Sequence, residues 1–298
     1  MQVAVIGLGS MGYGMAASLA RAGMKVAGYD VRAESVQRFA AEHGTAAASP
    51  AAAAAGADAL VTVVVNAEQT EAALFGAEGA AAALKPGAVV ISSATMAPDK
   101  ARALARRAEA AGLDYVDAPM SGGAARAAEG ALTILASGRP EAMAKARPLL
   151  DAMAKNVYVL GDEAGIGASF KMVNQLLAGV HIAAASEAIV FARRLGLDLG
   201  KVYEVITASA GNSWMFENRI PHVLDGDYQP RSAVEIFTKD LGIIADMSRS
   251  VTFPTPVAAA ALQMFLMTAA AGMGKEDDSS VARLYAAIAG IELPARKS

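Results

Sequence analysis

Apolar residues fill positions 3–6 without a break, a glycine-rich turn follows, and helical spacing then runs to residue 22. A second apolar stretch, KVAGY at 25–29, ends at Asp30. The runs at 58–65 (DALVTVVV), 87–93 (GAVVISS) and 113–119 (LDYVDAP) are apolar on successive positions. That pattern predicts strands buried on both faces. Between the last two, DKARALARRAEAAG at 99–112 predicts a helix ended by Gly112. Strands alternating with helices imply a parallel sheet with right-handed crossovers. After NVYVLGDEAG at 156–165 the strand signals nearly vanish. A long apolar pattern covers about 167–195, and helices are predicted near 199–209, 234–250, 255–272 and 279–289. Asp198 and Ser279 are expected as N-caps, and Pro254 and Pro256 break the chain between helices.

The first turn reads GLGSMG: Gly7, Gly9 and Gly12, with Leu8, Ser10 and Met11 between them. G-x-G-x-x-G between a strand and a helix, followed by a second strand with a terminal acid, is the dinucleotide fingerprint in its required context. Gly7 permits the tight turn, Gly9 lets the backbone approach a pyrophosphate, and Gly12 lets helix and strand pack closely. N–H groups at the helix start, with the helix dipole, would hold the negative charge. Asp30 would bind the adenosine ribose hydroxyls, flanked by Val31 and Arg32. Its carboxylate repels a 2′-phosphate and favours NAD over NADP, while Arg32 partly offsets that preference. The bland alternative is a βα turn without a ligand. The expected fold is an α/β Rossmann doubly wound parallel sheet, residues 1–162, followed by an all-helical second domain, residues 163–298.

Ligands of such sheets lie beyond the carboxyl ends of the strands. Three stretches fall there: VVNAEQ with Val65 and Asn66, SSATMAPD with Thr95, and DAPMSGG with Ser121, Gly122 and Gly123. Thr95 is either a ligand contact or the cap of the helix that begins near Pro98. The glycine pair is either a plain turn or a set of bare N–H groups for a small carboxylate.

Composition narrows the chemistry. The 298 residues are 54% hydrophobic, 18% charged and carry a net charge of −3. No basic block is present, so no nucleic-acid partner is expected. Cysteine is absent, which excludes thiol catalysis and thiolate metal sites. His43, His181 and His222 lie far apart without ligand spacing, so no metal is expected. The N-terminus lacks a basic leader, and the longest apolar segments are broken by Asp58, His181 or Glu187. The expectation is a cytoplasmic protein with no membrane span.

One lysine stands out. In GIGASFKMVNQ, Lys171 follows a glycine-rich turn and starts an apolar helix. Asn174 and Gln175 share its helix face at i+3 and i+4. Desolvation, together with a cationic nicotinamide ring, would disfavour its ammonium form. A neutral amine can then take the proton of a substrate hydroxyl while hydride leaves the same carbon. The carboxamides do not titrate in this range and can orient the hydroxyl and carboxylate of the substrate. A snorkelling surface lysine with two polar neighbours is the competing reading.

The glycine turn, SSATMAPD, DAPMSGG, GIGASFKMVNQ and FTKDLGIIADM (237–247) occur in the order of the β-hydroxyacid dehydrogenase family, and nearly the whole chain resembles it. The resemblance implies a Rossmann domain plus a helical substrate and dimerisation domain, paired into dimers or tetramers. It implies Lys171 as general acid/base, Thr95 at the nicotinamide end, and Ser121, Gly122 and Gly123 on the substrate carboxylate. It also implies that Lys239 lies near cofactor and substrate, although Lys239 followed by Asp240 reads equally as an exposed ion pair. Many relatives carry asparagine where this chain has Gln175. Residues 210–242, with KEDDS at 275–279, resemble the L-threonate branch of that family. There Asn212, Ser213 and Asn218 are the candidates for polar contact, and Trp214, Met215 and Phe216 are expected in the core. The expected activity is NAD-dependent oxidation of L-threonate or a related four-carbon acid sugar to the 2-oxo acid. The alternatives are 3-hydroxyisobutyrate or D-glycerate oxidation, a semialdehyde reductase, or a non-catalytic dinucleotide binder.

Overall fold

A computed structural model describes residues 1–296. The chain divides into two compact units, Met1–Lys171 and the remainder from Met172. The division falls inside one long helix, Ile166–Arg194.

In the first unit six parallel strands form one sheet: β1 (Gln2–Ile6), β2 (Lys25–Tyr29), β3 (Thr45–Ala46), β4 (Ala59–Thr62), β5 (Val89–Ser92) and β6 (Asp114–Asp117). Their order is β3-β2-β1-β4-β5-β6, the doubly wound arrangement whose direction reverses between β1 and β4. The apolar runs are continuous because both faces are covered. Val3 and Val5 pack with Met15, Leu19 and Phe39 on one side. Ala4 and Ile6 pack with Leu60, Val90 and Tyr115 on the other. The strands are shorter than the apolar runs that predicted them, because the carboxyl ends of those runs leave the sheet as loops.

A second sheet was not expected: β7 (Met120–Ser121), β8 (Leu132–Ala136) and β9 (Ala154–Val159), antiparallel then parallel. Its alternating strand β8 buries Leu132, Ile134 and Ala136 only. The helix Gly12–Arg21 of this unit touches the short helix Gly123–Glu129 backbone to backbone. A Cβ on Gly14 would lie 2.6 Å from the Ala128 nitrogen. Ser18 and Arg21 donate hydrogen bonds to the carbonyls of Ala127 and Ala128 at 3.2 and 2.5 Å.

The second unit contains no strand among its described residues. Helices Leu199–Thr207, Trp214–Asp225, Val234–Ser250, Pro256–Thr268 and Val281–Ala289 pack with the rest of the long helix. One core gathers Ile182, Phe237, Leu241 and Phe265, with the Phe237 and Phe265 rings stacked at 5.1 Å. Another gathers Ile189, Leu199, Phe216, Ile220 and Val223. Asp198 caps Leu199–Thr207 as expected, accepting from the Lys201 N–H at 2.7 Å. Ser279 is not a cap: Asp277 accepts from the Ser279 N–H instead. Helix Trp214–Asp225 went unpredicted because Pro221 interrupts its pattern.

The reading of interrupted apolar segments needs correction. Residues 251–274 carry no charge. Both Pro256–Met273 and Ile166–Arg194 are long and apolar enough to cross a membrane by length and composition. Pro256–Met273 nevertheless buries Ala258, Ala261, Phe265 and Thr268 against its own unit. Val257, Leu266 and Met267 remain exposed.

Candidate active site

β1 delivers the chain into Gly7, whose φ of 97° disfavours any other residue. A Cβ there would lie 2.2 Å from the Val63 oxygen, and one on Gly12 would lie 1.9 Å from the Gly7 oxygen. Gly9 differs, because a Cβ there would meet only the Arg32 guanidinium, at 3.5 Å. One side of this turn is therefore open to a ligand. Met11 stands at the N-cap of helix Gly12–Arg21 and offers no side-chain acceptor, and the first turn holds no acid. The Tyr13 N–H donates to the Gly9 carbonyl at 3.0 Å, and the positive dipole end of the helix remains for an anion. The Asp30 carboxylate accepts from the Leu8 N–H at 2.7 Å and the Arg32 N–H at 2.9 Å. The Arg32 side chain lies 3.3 Å from the same carboxylate. Asp30 is thereby fixed beside the glycine turn, with Ser10, Val31 and Arg32 exposed around it. These residues fit a dinucleotide.

At the neighbouring strand ends, Val65 is exposed and Asn66 caps helix Ala67–Phe75, accepting from the Gln69 N–H at 2.8 Å. Thr95 is half-buried. It is not the cap of Pro98–Ala110: that helix begins from Ala97 without a side-chain cap, so one of the two readings of Thr95 falls away. Ser121 ends β7, and Gly122 and Gly123 follow with φ of 137° and 77°. Two successive positive φ values explain the glycine pair physically, since other residues rarely adopt them.

The long helix starts with no cap of its own, because Gly165, Ile166, Gly167 and Ala168 have no side-chain acceptor. Asp117, at the end of β6, supplies it. Its Oδ2 accepts from the Gly165 N–H at 3.0 Å and the Ala168 N–H at 2.8 Å. Ser137 Oγ accepts from the Gly167 N–H at 2.9 Å. Lys171 follows on the same helix and is only 7% exposed, so it is not a snorkelling surface lysine. Burial pushes the Asp117 carboxyl up to about 6, against the pull of the N–H groups of Ala168 and Gly165. Sequence reasoning missed Asp117. The available signal was a carboxylate at a strand end and a distant helix start lacking a capping residue.

In the second unit Gln175 is buried and donates to Asp240 Oδ2 at 2.5 Å. Asn174 donates to Gln175 Oε1 at 2.9 Å. Lys239 Nζ lies 2.7 Å from Asp240 Oδ1. Asp240 is 1% exposed, so this is not the exposed ion pair that sequence alone allowed. A polar chain thus runs Lys239–Asp240–Gln175–Asn174.

Ser213 caps helix Trp214–Asp225, accepting from the Phe216 N–H at 3.0 Å. Asn212 donates to the Thr207 carbonyl at 3.1 Å and to Glu217 at 2.7 Å, while its Oδ1 is buried without a hydrogen-bond partner. Asn218 is exposed beside the Arg219 guanidinium, which donates to its Oδ1. Phe216 is buried as expected, Met215 partly so, but Trp214 is 46% exposed and does not belong to the core. The acidic motif turns inward. Asp277 accepts from the Ser279 hydroxyl at 2.6 Å and the Arg231 N–H at 3.1 Å, and lies 2.9 Å from His222 Nδ1. Burial opposes its charge, yet the His222 and Ser279 hydrogen bonds outweigh it and bring the carboxyl down to about 2. Asp278 receives both Nε and Nη2 of Arg219, at 2.5 and 3.0 Å.

Comparison with known proteins matches both units. Residues 2–161 match the NAD binding domain of 6-phosphogluconate dehydrogenase. Residues 165–285 match the NAD-binding model of NADP-dependent 3-hydroxyisobutyrate dehydrogenase. The L-threonate dehydrogenase of Cupriavidus necator is 55% identical over 99% of this chain and 98% of its own length. The chain belongs to the β-hydroxyacid dehydrogenase family. A crystal structure titled 3-hydroxyisobutyrate dehydrogenase from Salmonella typhimurium superposes with a TM-score of 0.91, at 49% identity over 95% of this chain and 99% of that one. Within the family, identity falls to 32% for the 2-(hydroxymethyl)glutarate dehydrogenase of Eubacterium barkeri, over 98% of this chain and 97% of the relative. The chain therefore sits in the L-threonate branch of the β-hydroxyacid dehydrogenases, a family of nicotinamide-dinucleotide-linked oxidoreductases.

Proposed function

We propose that this dehydrogenase oxidises the C2 hydroxyl of L-threonate, or of a related four-carbon sugar acid, to the 2-oxo acid with NAD. The observation that carries the chemistry is Lys171, a buried amine just past an uncapped helix start that a strand-end carboxylate holds in place. NAD, when bound, supplies the hydride acceptor. Lys171 in its amine form takes the hydroxyl proton as hydride leaves the same carbon, and becomes an ammonium. Ser121, Gly122 and Gly123 hold the substrate carboxylate through the bare N–H groups of their glycine turn. Asn174 orients the hydroxyl, itself oriented by Gln175 and Asp240. Lys239 adds a cation whose position Asp240 fixes. Asp30 takes the ribose hydroxyls, which favours NAD over NADP.

The relatives' names point two ways, L-threonate dehydrogenase and 3-hydroxyisobutyrate dehydrogenase, so the deciding assay offers both acids. With NAD, L-threonate gives the higher kcat/KM, and NADP in its place lowers the rate. A rate with 3-hydroxyisobutyrate exceeding that with L-threonate overturns the substrate assignment.

The partner proposed is a second copy of the chain. Helix Pro256–Met273 presents Val257, Leu266 and Met267 outward, and the long helix presents Phe191. Phe191 and Val257 line one groove with Val180, Ala260 and Met264, an exposed apolar surface of the kind that marks an interface. Light scattering is expected to give a dimer or tetramer, and L266E with M267K to give the monomer. A wild-type monomer at micromolar concentration sinks this assignment.

A further inference from the structure

Every helix start leaves N–H groups without an intrahelical partner. A side chain at the cap position itself can satisfy one of them, as Asn66, Asp198 and Ser213 do in this chain. The long helix has no such side chain, and it draws its acceptors from residues about fifty and thirty positions earlier in the chain, Asp117 and Ser137. Those two residues are themselves locked together. Asp117 N–H donates to the Ser137 carbonyl at 2.9 Å, and Ser137 N–H to the Asp117 carbonyl at 2.8 Å. The helix is also pressed hard against this bridge, because a Cβ on Gly167 would lie 2.3 Å from the Leu135 oxygen. Three N–H groups held by two fixed acceptors determine both the axial position and the rotation of the first turn. Lys171 is at i+4 from Gly167 and i+3 from Ala168, on the face directly above those anchored residues.

We infer that Asp117 is a positioning residue for the reaction, acting with Ser137 as a remote cap that sets where the Lys171 amine stands. The inference rests on the reading of Lys171 as the proton acceptor. Two further observations favour a role beyond packing. Asp117 is 1% exposed, so its charge is held where burial opposes it. Burial lifts its carboxyl to about 6 despite its hydrogen bonds and the nearby Arg102 guanidinium, while Tyr115 on the same strand is the other titratable group beside it. The folded chain therefore binds this proton more tightly than the unfolded chain does. The stability contribution of the group is full at acid pH and lost as pH rises through about 6. Above that pH the ionised carboxylate keeps its two N–H donors, Gly165 and Ala168, in place.

The test compares Asp117→Ala, Asp117→Asn and Lys171→Ala in the full-length protein, reading kcat, KM and NAD affinity. Asp117→Ala is expected to lower kcat by about 10–100-fold, the scale of a misplacement near 1 Å. Its NAD affinity and KM for the acid stay within about threefold. Asp117→Asn restores most of kcat, because its Oδ1 still accepts from Gly165 and Ala168. Should Asp117→Ala not fold, Ser137→Ala removes the Gly167 contact alone and lowers kcat by about threefold or more. Unchanged kcat in Asp117→Ala, or in Ser137→Ala where that variant carries the test, overturns the inference. So does an equal loss in Asp117→Ala and Asp117→Asn. Lys171→Ala separates the two layers. If it stays active, the acid/base reading itself falls; if it is dead while Asp117→Ala is normal, only the clamp falls.

Discussion

Replacing Lys171 with alanine is expected to lower kcat by about 10²–10⁴-fold, the range for removing a positioned general base. NAD binding should change by no more than about threefold, because the nucleotide turn and Asp30 lie on other elements. The pH dependence follows from the same role. The amine must be uncharged to accept the hydroxyl proton, so wild-type oxidation speeds up as pH rises and levels off once the amine is deprotonated. The residual rate of the variant should lack that limb. Carbonyl reduction should show the opposite slope, since the ammonium then returns the proton. Steady-state NADH formation across neutral to alkaline pH checks all of this. A variant with near-normal kcat, or a flat wild-type profile, removes Lys171 from the chemistry.

Replacing Arg219 with alanine is expected to destabilise the second unit by about 3–5 kcal/mol, the cost of stranding a buried partner charge. Asp278 is fully buried, and its carboxylate would lose both guanidinium contacts at once. Burial disfavours the Arg219 charge too, but Asp278 outweighs it and holds the guanidinium pKa up. Thermal melting should register a fall of roughly 10 °C. The double replacement Arg219→Met with Asp278→Leu should recover much of it, because an apolar pair of similar volume avoids the unpaired charge. A single variant melting within about 2 °C of wild type would mean that the pair contributes little.

The sheet and the nucleotide turn were legible in the sequence because their causes are local. Five apolar runs and three glycines at fixed offsets leave few alternatives to a parallel sheet with an anion-binding turn. The burial of Lys171 was legible for a related reason: a charged residue opening an apolar helix needs an explanation. Asp117 was not, since its partners lie 48 and 51 positions away and nothing local links a strand-end acid to a helix start. The KEDDS motif was noticed, but not that Asp277 and Asp278 turn inward to His222 and Arg219. Burial of a charge depends on a tertiary partner that no periodicity announces. Ser213 looked like a polar contact residue, and the structure gives its hydroxyl the local duty of a cap. Strand β8 escaped for a third reason, since five residues of alternating pattern between two alanine-rich helices carry little signal.

The backbone contact at Gly14 has a consequence for anyone redesigning this enzyme. It couples the coenzyme helix to the short helix that springs from the Gly122–Gly123 turn, like two girders riveted at one joint. Shifting that short helix to widen the Gly122–Gly123 turn would drag the helix Gly12–Arg21 and its glycine loop along with it. A change made to either helix at that joint is therefore felt by both.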